Sequence, residues 1–190
     1  MKNTGKKNIL DVACGTGRFF PLYYPRKIYG IDISKDMLKQ ARKRKLAKEL
    51  KLADAENIPY SNNKFDVIIT SQFIMHTPYY EKVIKEMSRA AKKKGSLIID
   101  FPNKYSLSYI PTKIRLLTRI LRHFNMFTKN QIENIASKNK LKIKEIRGTV
   151  IFSPMLLPKF LTNFSEKANK FLIKLFPNLT YTYYVHFIKE

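Results

Sequence analysis

The 190-residue chain has a single cysteine, Cys14, so no internal disulfide can form and nothing demands an oxidising compartment; a reducing cytoplasm is the expectation. It contains no uncharged apolar run of the roughly 18 residues that a membrane-spanning helix needs. MKNTGKK leads into the first apolar run without an apolar leader, so no secretory signal is expected. Internal repeats and low-complexity tracts are missing. The histidines, His76, His123 and His186, stand too far apart in sequence to form a ligand pair, so no metal site is expected. Acidic residues are scarce: 14 Asp and Glu against 37 Lys and Arg give a formal charge of +23. Such a field attracts nucleic acid, anionic lipid or acidic metabolites without choosing among them, and the scatter of the lysines equally describes a solvated, lysine-biased surface.

What is present is organised around NILDVACGTGRFF, residues 8–20, and KIYGIDIS, residues 27–34. Ile9, Leu10, Val12 and Ala13 form a short apolar run broken only by Asp11, which reads as a buried strand. Gly15 and Gly17 then open a loop in which the backbone can turn sharply and a ligand can press close. After a second short strand, Asp32 arrives at the carboxyl end, where a carboxylate can accept hydrogen bonds from both hydroxyls of a ribose. Glycine loop and strand-end acid together point to a nucleoside cofactor. A dinucleotide fingerprint would require a third glycine where Phe20 stands.

DVACGTGRF resembles the first motif of class I S-adenosylmethionine-dependent methyltransferases, acidic-x-G-x-G-x-G, with Ala13 in place of the first glycine. DAENIPYSNNKFDVI fits the family pattern over its whole length, and SLIIDFPN fits again, with Lys94 replacing the proline common before the glycine. MFTKNQIENIASKNKLKIKEI resembles the family's late helix and strand, with Asn139-Lys140 where an alanine-glycine pair is common. The resemblance implies an α/β, doubly wound, Rossmann-like methyltransferase fold. Its seven-stranded sheet should be mostly parallel with an antiparallel last strand. A single domain over 1–190 is expected, with substrate-side helices inserted at 103–127 and 154–176. Covering helices usual before the first strand have no room here, so an open cofactor site, or one completed by another segment or subunit, is expected.

By the same resemblance the cofactor is S-adenosylmethionine and its product S-adenosylhomocysteine. Asp11 and the loop Ala13, Cys14, Gly15, Thr16 and Gly17 would serve the methionine end, Asp32 with Ile33 the ribose, Asp54 and Ala55 the adenine, and the segment from Ser71 and Gln72 to His76 the sulfur side. His76 is the one ionisable group in that segment; it reads either as a base for the incoming nucleophile or as a hydrogen-bonded wall residue. Cys14 reads as a small buried loop residue.

Local patterns fill in the elements. Pro21 and Pro25 leave room only for a brief helix after the glycine loop. Ser34 caps a helix with Met37, Leu38, Ala41, Leu46 and Ala47 on its apolar side. Val67, Ile68 and Ile69 suggest a strand, residues 65–70, buried on both faces. A helix with Val83, Ile84, Met87, Ala90 and Ala91 inward should stop at Gly95, and Thr128 should cap another with Ile132, Ile135 and Ala136 inward.

The acceptor is less defined. The chain lacks the N/D-P-P-Y/F sequence of base-amine and glutamine methyltransferases and the second cysteine of C5-cytosine chemistry. What remains resembles the group acting on small molecules, quinone precursors, lipids or sugars. Three readings follow: O- or C-methylation of a small-molecule or lipid-linked acceptor, peripheral to an anionic membrane in the lipid case; RNA methylation using the basic faces; or a non-catalytic scaffold that binds the cofactor.

Overall fold

Seven strands pair into one sheet: β1 Asn8–Val12, β2 Lys27–Asp32, β3 Ala47–Leu52, β4 Phe65–Thr70, β5 Ala91–Pro102, β6 Leu141–Gly148 and β7 Thr182–Lys189. The structure is a computed structural model, described here for residues 7–106, 109, 113–114, 117, 123–149 and 171–190. The strand order is β3-β2-β1-β4-β5-β7-β6. β1 pairs in parallel with β2 and β4, and β7 runs antiparallel to both β5 and β6. The expected doubly wound sheet with an antiparallel last strand is therefore present. Order reverses between β1 and β4, the switch point beside which open α/β sheets bind ligands.

Helices α1 Phe20–Tyr23, α2 Lys35–Lys43, α3 Tyr80–Ala90 and α4 Lys129–Lys138 pack on the sheet, with a 3₁₀ turn at Pro177–Leu179. The larger core lies under α3 and α4 and gathers Leu10, Ile68, Met87, Leu97, Phe101, Ile132 and Phe187. A smaller core on the other face holds Ile9, Cys14, Phe20, Ile28, Leu38 and Ala41. That face is thinly covered: Val67 and Ile69 are half-buried and, with Leu22 and Ile98, line a groove of about 490 Å³. The expectation that β4 is buried on both faces is corrected accordingly; only Phe65, Ile68 and Thr70 are fully buried.

Two helix ends also differ from expectation. α2 stops at Lys43, and Lys45 takes a positive φ of 55°, so Leu46 lies outside the helix and Ala47 opens β3. α3 stops at Ala90 rather than Gly95, because the loop before β4 takes its last carbonyls: Asn63 N–H donates to Arg89 O and Lys64 N–H to Ala90 O. Residues 92–95 instead form an irregularity in β5, where the register against β4 shifts. A Cβ on Gly95 would lie 2.7 Å from Lys92 O, and Lys94 sits at φ 59°, which proline cannot adopt. The replaced family proline thus has a local backbone reason. Lys92 Nζ meets Asp66 Oδ1 at 2.8 Å, and the other Asp66 oxygen accepts from Asn8 N–H at 2.8 Å, tying β1, β4 and β5 together.

Thr128 caps α4 as expected: its hydroxyl accepts from Gln131 N–H, and the Gln131 side chain accepts from Thr128 N–H. Of the two expected insertions, Tyr109, Lys113, Ile114 and Leu117 are helical in the first and residues 171–175 in the second; residues 154–170 lie outside the described residues. Ile114 and Leu117 are exposed rather than packed inward.

Candidate functional site

The loop after β1 folds back because three successive odd positions take the left-handed conformation: Ala13 at φ 56°, Gly15 at 54° and Gly17 at 67°. Glycine adopts it freely, whereas alanine is strained by about 1–2 kcal/mol. Ala13 therefore holds a conformation that suits glycine, at the position where the family motif has its first glycine. A Cβ on Gly17 would lie 2.5 Å from the Phe20 ring, and one on Gly30 2.8 Å from Cys14 Sγ. Both glycines make way for Phe20, which is fully buried where a dinucleotide site would need its third glycine. Above Gly15 the space is open, with no atom within 4 Å of a built Cβ.

Asp32 pins this loop. One carboxylate oxygen accepts from Gly15 N–H at 2.7 Å and the other from Ser34 N–H at 2.8 Å. A carboxylate offers about four acceptor positions, so capacity remains for ligand hydroxyls. Asp54, after β3, caps its own turn by accepting from Glu56 N–H at 2.9 Å. That turn is anchored from α3: the Arg89 guanidinium donates to Ile58 O and Tyr60 O, while Glu86 accepts from Ile58 N–H and pairs with Arg89 at 2.7 Å.

Between these supports opens a hollow of about 360 Å³ lined by Ala13, Asp32, Ile33, Ala53, Asp54, Ala55, Glu56, Phe73, His76, Thr77, Pro78 and Tyr79. The size falls in the usual range of small-ligand sites, and the mix of apolar wall with a few acids matches a nucleoside. Six expected site residues, Ala13, Asp32, Ile33, Asp54, Ala55 and His76, meet there. Cys14 is not on that wall; it is buried, and burial pushes its thiol up to about 12, so it stays protonated and unreactive. Asp11 is buried beneath the loop, and burial raises its carboxyl to about 7 against a hydrogen bond from Tyr23. Gly15, Thr16, Gly17 and Ser71 do not line it either.

Gln72 belongs to a second hollow of about 410 Å³, shared with Met75, His76, Asp100, Phe124, Thr149, Tyr181, Thr182 and Tyr184. His76 stands on the wall of both. Its ring meets Phe124 edge-on at 5.5 Å, and desolvation together with the charge of His123 lowers its pKa, which leaves the imidazole neutral. The loop that carries it is clamped by Asn125, whose amide donates to Ile74 O and Thr77 O, while its own N–H donates to Met75 O. Asn125, Asp100 and Arg89 were not singled out by sequence; each acts through contacts many residues away, so no local spacing announces them.

A family model for the methyltransferase domain matches residues 3–151. The chain belongs to the class I S-adenosylmethionine-dependent methyltransferase family. Among curated relatives, the phosphatidylethanolamine N-methyltransferase of Cereibacter sphaeroides is 34% identical over 98 residues, 48% of either chain. The ubiquinone biosynthesis O-methyltransferase of Pelagibacter ubique is 31% identical over 157 residues, 75% of this chain and 65% of that protein. The chain thus spans about half the length of the first relative and about two thirds of the second. Among solved structures, an S-adenosylmethionine-dependent methyltransferase from Mesorhizobium loti shares the fold with a TM-score of 0.72 at 14% identity, covering 100% of this chain and 94% of that one. In this methyltransferase family setting, the described residues contain no cluster of three or more metal-ligating side chains and no helix long and apolar enough to cross a membrane.

Proposed function

We propose that this chain transfers a methyl group from S-adenosylmethionine to a small-molecule acceptor. The observation that carries the reading is the convergence of Asp32 and Asp54 on one open hollow that Ala13, at the start of the glycine loop, also lines. When bound, the cofactor supplies an activated methyl group whose leaving group departs readily. The chain's task is then alignment and exclusion of water. Asp32 accepts from the ribose hydroxyls while keeping its two backbone donors, and Asp54 with the Ala55 amide holds the adenine edge. Ile33, 75% exposed in the free chain, packs on the base. Gly15 and Gly17 leave the backbone bare for the methionine end; Asp11 acts there through the loop, from below. His76, neutral and shared by both hollows, faces the transfer line from the wall and is a catalytic candidate as a proton acceptor.

The acceptor enters through the second hollow, which shares His76 with the first. An O- or C-methylated ring or a lipid-linked molecule is the finer reading, in keeping with relatives named for quinone, phospholipid and malonyl-carrier substrates. Isothermal titration of the full chain with S-adenosylhomocysteine tests the proposal. Micromolar or tighter binding that Asp32→Ala weakens is expected; no binding by the parent chain overturns it.

A further inference from the structure

Asp100 lies near the carboxyl end of β5, on the wall of the second hollow, and is only 1% exposed. Both of its oxygens lie 2.9 Å from one donor, Gln72 N–H. Among the described residues its remaining hydrogen bond comes from its own backbone amide. A buried carboxylate with acceptor positions to spare is costly unless something fills them. Its neighbours suit a flat polar ligand: Phe124, Tyr181 and Tyr184 give aromatic walls, and Thr149 and Thr182 give hydroxyls. Tyr184 is Asp100's cross-strand partner and is 39% exposed, as a mouth residue would be.

We propose that Asp100 is the recognition group for the acceptor, taking the hydrogen bond of a neutral aromatic hydroxyl that lies against Phe124 and the two tyrosines. This rests on the methyl-transfer reading and narrows its substrate class. A neutral O–H is favoured over an ammonium because burial raises the Asp100 pKa and so disfavours its charged form, because Arg18, whose guanidinium donates to the Gln72 side chain at 2.6 Å, already lies close enough to act on it, and because a chain of charge +23 repels small cations. His76, the one wall residue that could carry a positive charge, has its pKa lowered by desolvation and offers an anion no attraction.

Three probes of one shape separate the possibilities: para-cresol with a hydroxyl, benzylamine with an ammonium, and toluene with neither. Binding to the full chain saturated with S-adenosylhomocysteine is followed by saturation-transfer NMR and calorimetry. Para-cresol should bind at least about tenfold more tightly than the other two, the step expected when a buried acceptor gains its donor. Asp100→Asn, which loses the charge and one acceptor oxygen, should reduce that preference while S-adenosylhomocysteine binds as before. Tyr184→Ala, at an exposed position, should weaken para-cresol and toluene alike, and it keeps the test alive if Asp100→Asn fails to fold. Equal binding of the three probes, tighter binding of benzylamine, or an undiminished preference in Asp100→Asn overturns the proposal. A chain that shows the Asp100-dependent preference but never binds S-adenosylhomocysteine would uphold the hydroxyl site and sink the methyl-transfer reading instead.

Discussion

Asp11 shows how one carboxyl can serve the fold and tax it. It is 3% exposed, and burial raises its pKa to about 7 from an unfolded value near 3.8. Between those values the folded chain holds a proton that the unfolded chain has released, so Asp11 makes stability fall as pH rises across that window. His76 and His186, both lowered by desolvation, work the opposite way up to about pH 6.5, so the comparison must be between variants. Asp11→Asn should gain on the parent chain steadily from pH 4 to pH 7 in urea unfolding and hold that lead above it. At the cofactor end, Asp32→Ala should weaken S-adenosylhomocysteine binding by about 1.5–3 kcal/mol, measured by calorimetry, through lost charge-assisted hydrogen bonds. Part of that loss comes from the loop itself, because Gly15 N–H and Ser34 N–H lose their acceptor together.

At the scale of elements, the left-handed positions carry the next prediction. Lys140 follows α4 at φ 53°, where helices prefer glycine. Lys140→Gly should raise stability by about 0.5–1 kcal/mol in thermal or urea melts, the strain relieved exceeding the entropy that glycine adds to the unfolded chain. Removing the α4 cap with Thr128→Ala should cost about 1 kcal/mol in the same assay. These positions also show what a sequence makes legible. Strand β4 is visible in FDVIIT because its period and bounds are local, and the cap at Thr128 because its partner Gln131 is three residues on. The stop of α3 was not visible, since it depends on Asn63 and Lys64, more than 25 residues upstream, taking the last carbonyls. The candidate site divides in the same way. Asp32 is legible because a strand end places it, and Asp54 through the family resemblance of its motif; Asn125 and Asp100 are not, because they meet the site only after the sheet has assembled.

Over the whole molecule, charge and coverage matter more than any one contact. A net charge of +23 predicts adsorption to polyanions of every kind, so flotation with anionic vesicles and filter binding to tRNA should both succeed at low ionic strength. Both should collapse together as salt is raised. Survival of vesicle binding alone in high salt would point to apolar insertion and to a lipid-linked acceptor.

Among the residues that line the two hollows, His76 stands on both walls. A change there, as in His76→Ala, would thin both walls at once, so the fit of each occupant should loosen together rather than one at a time.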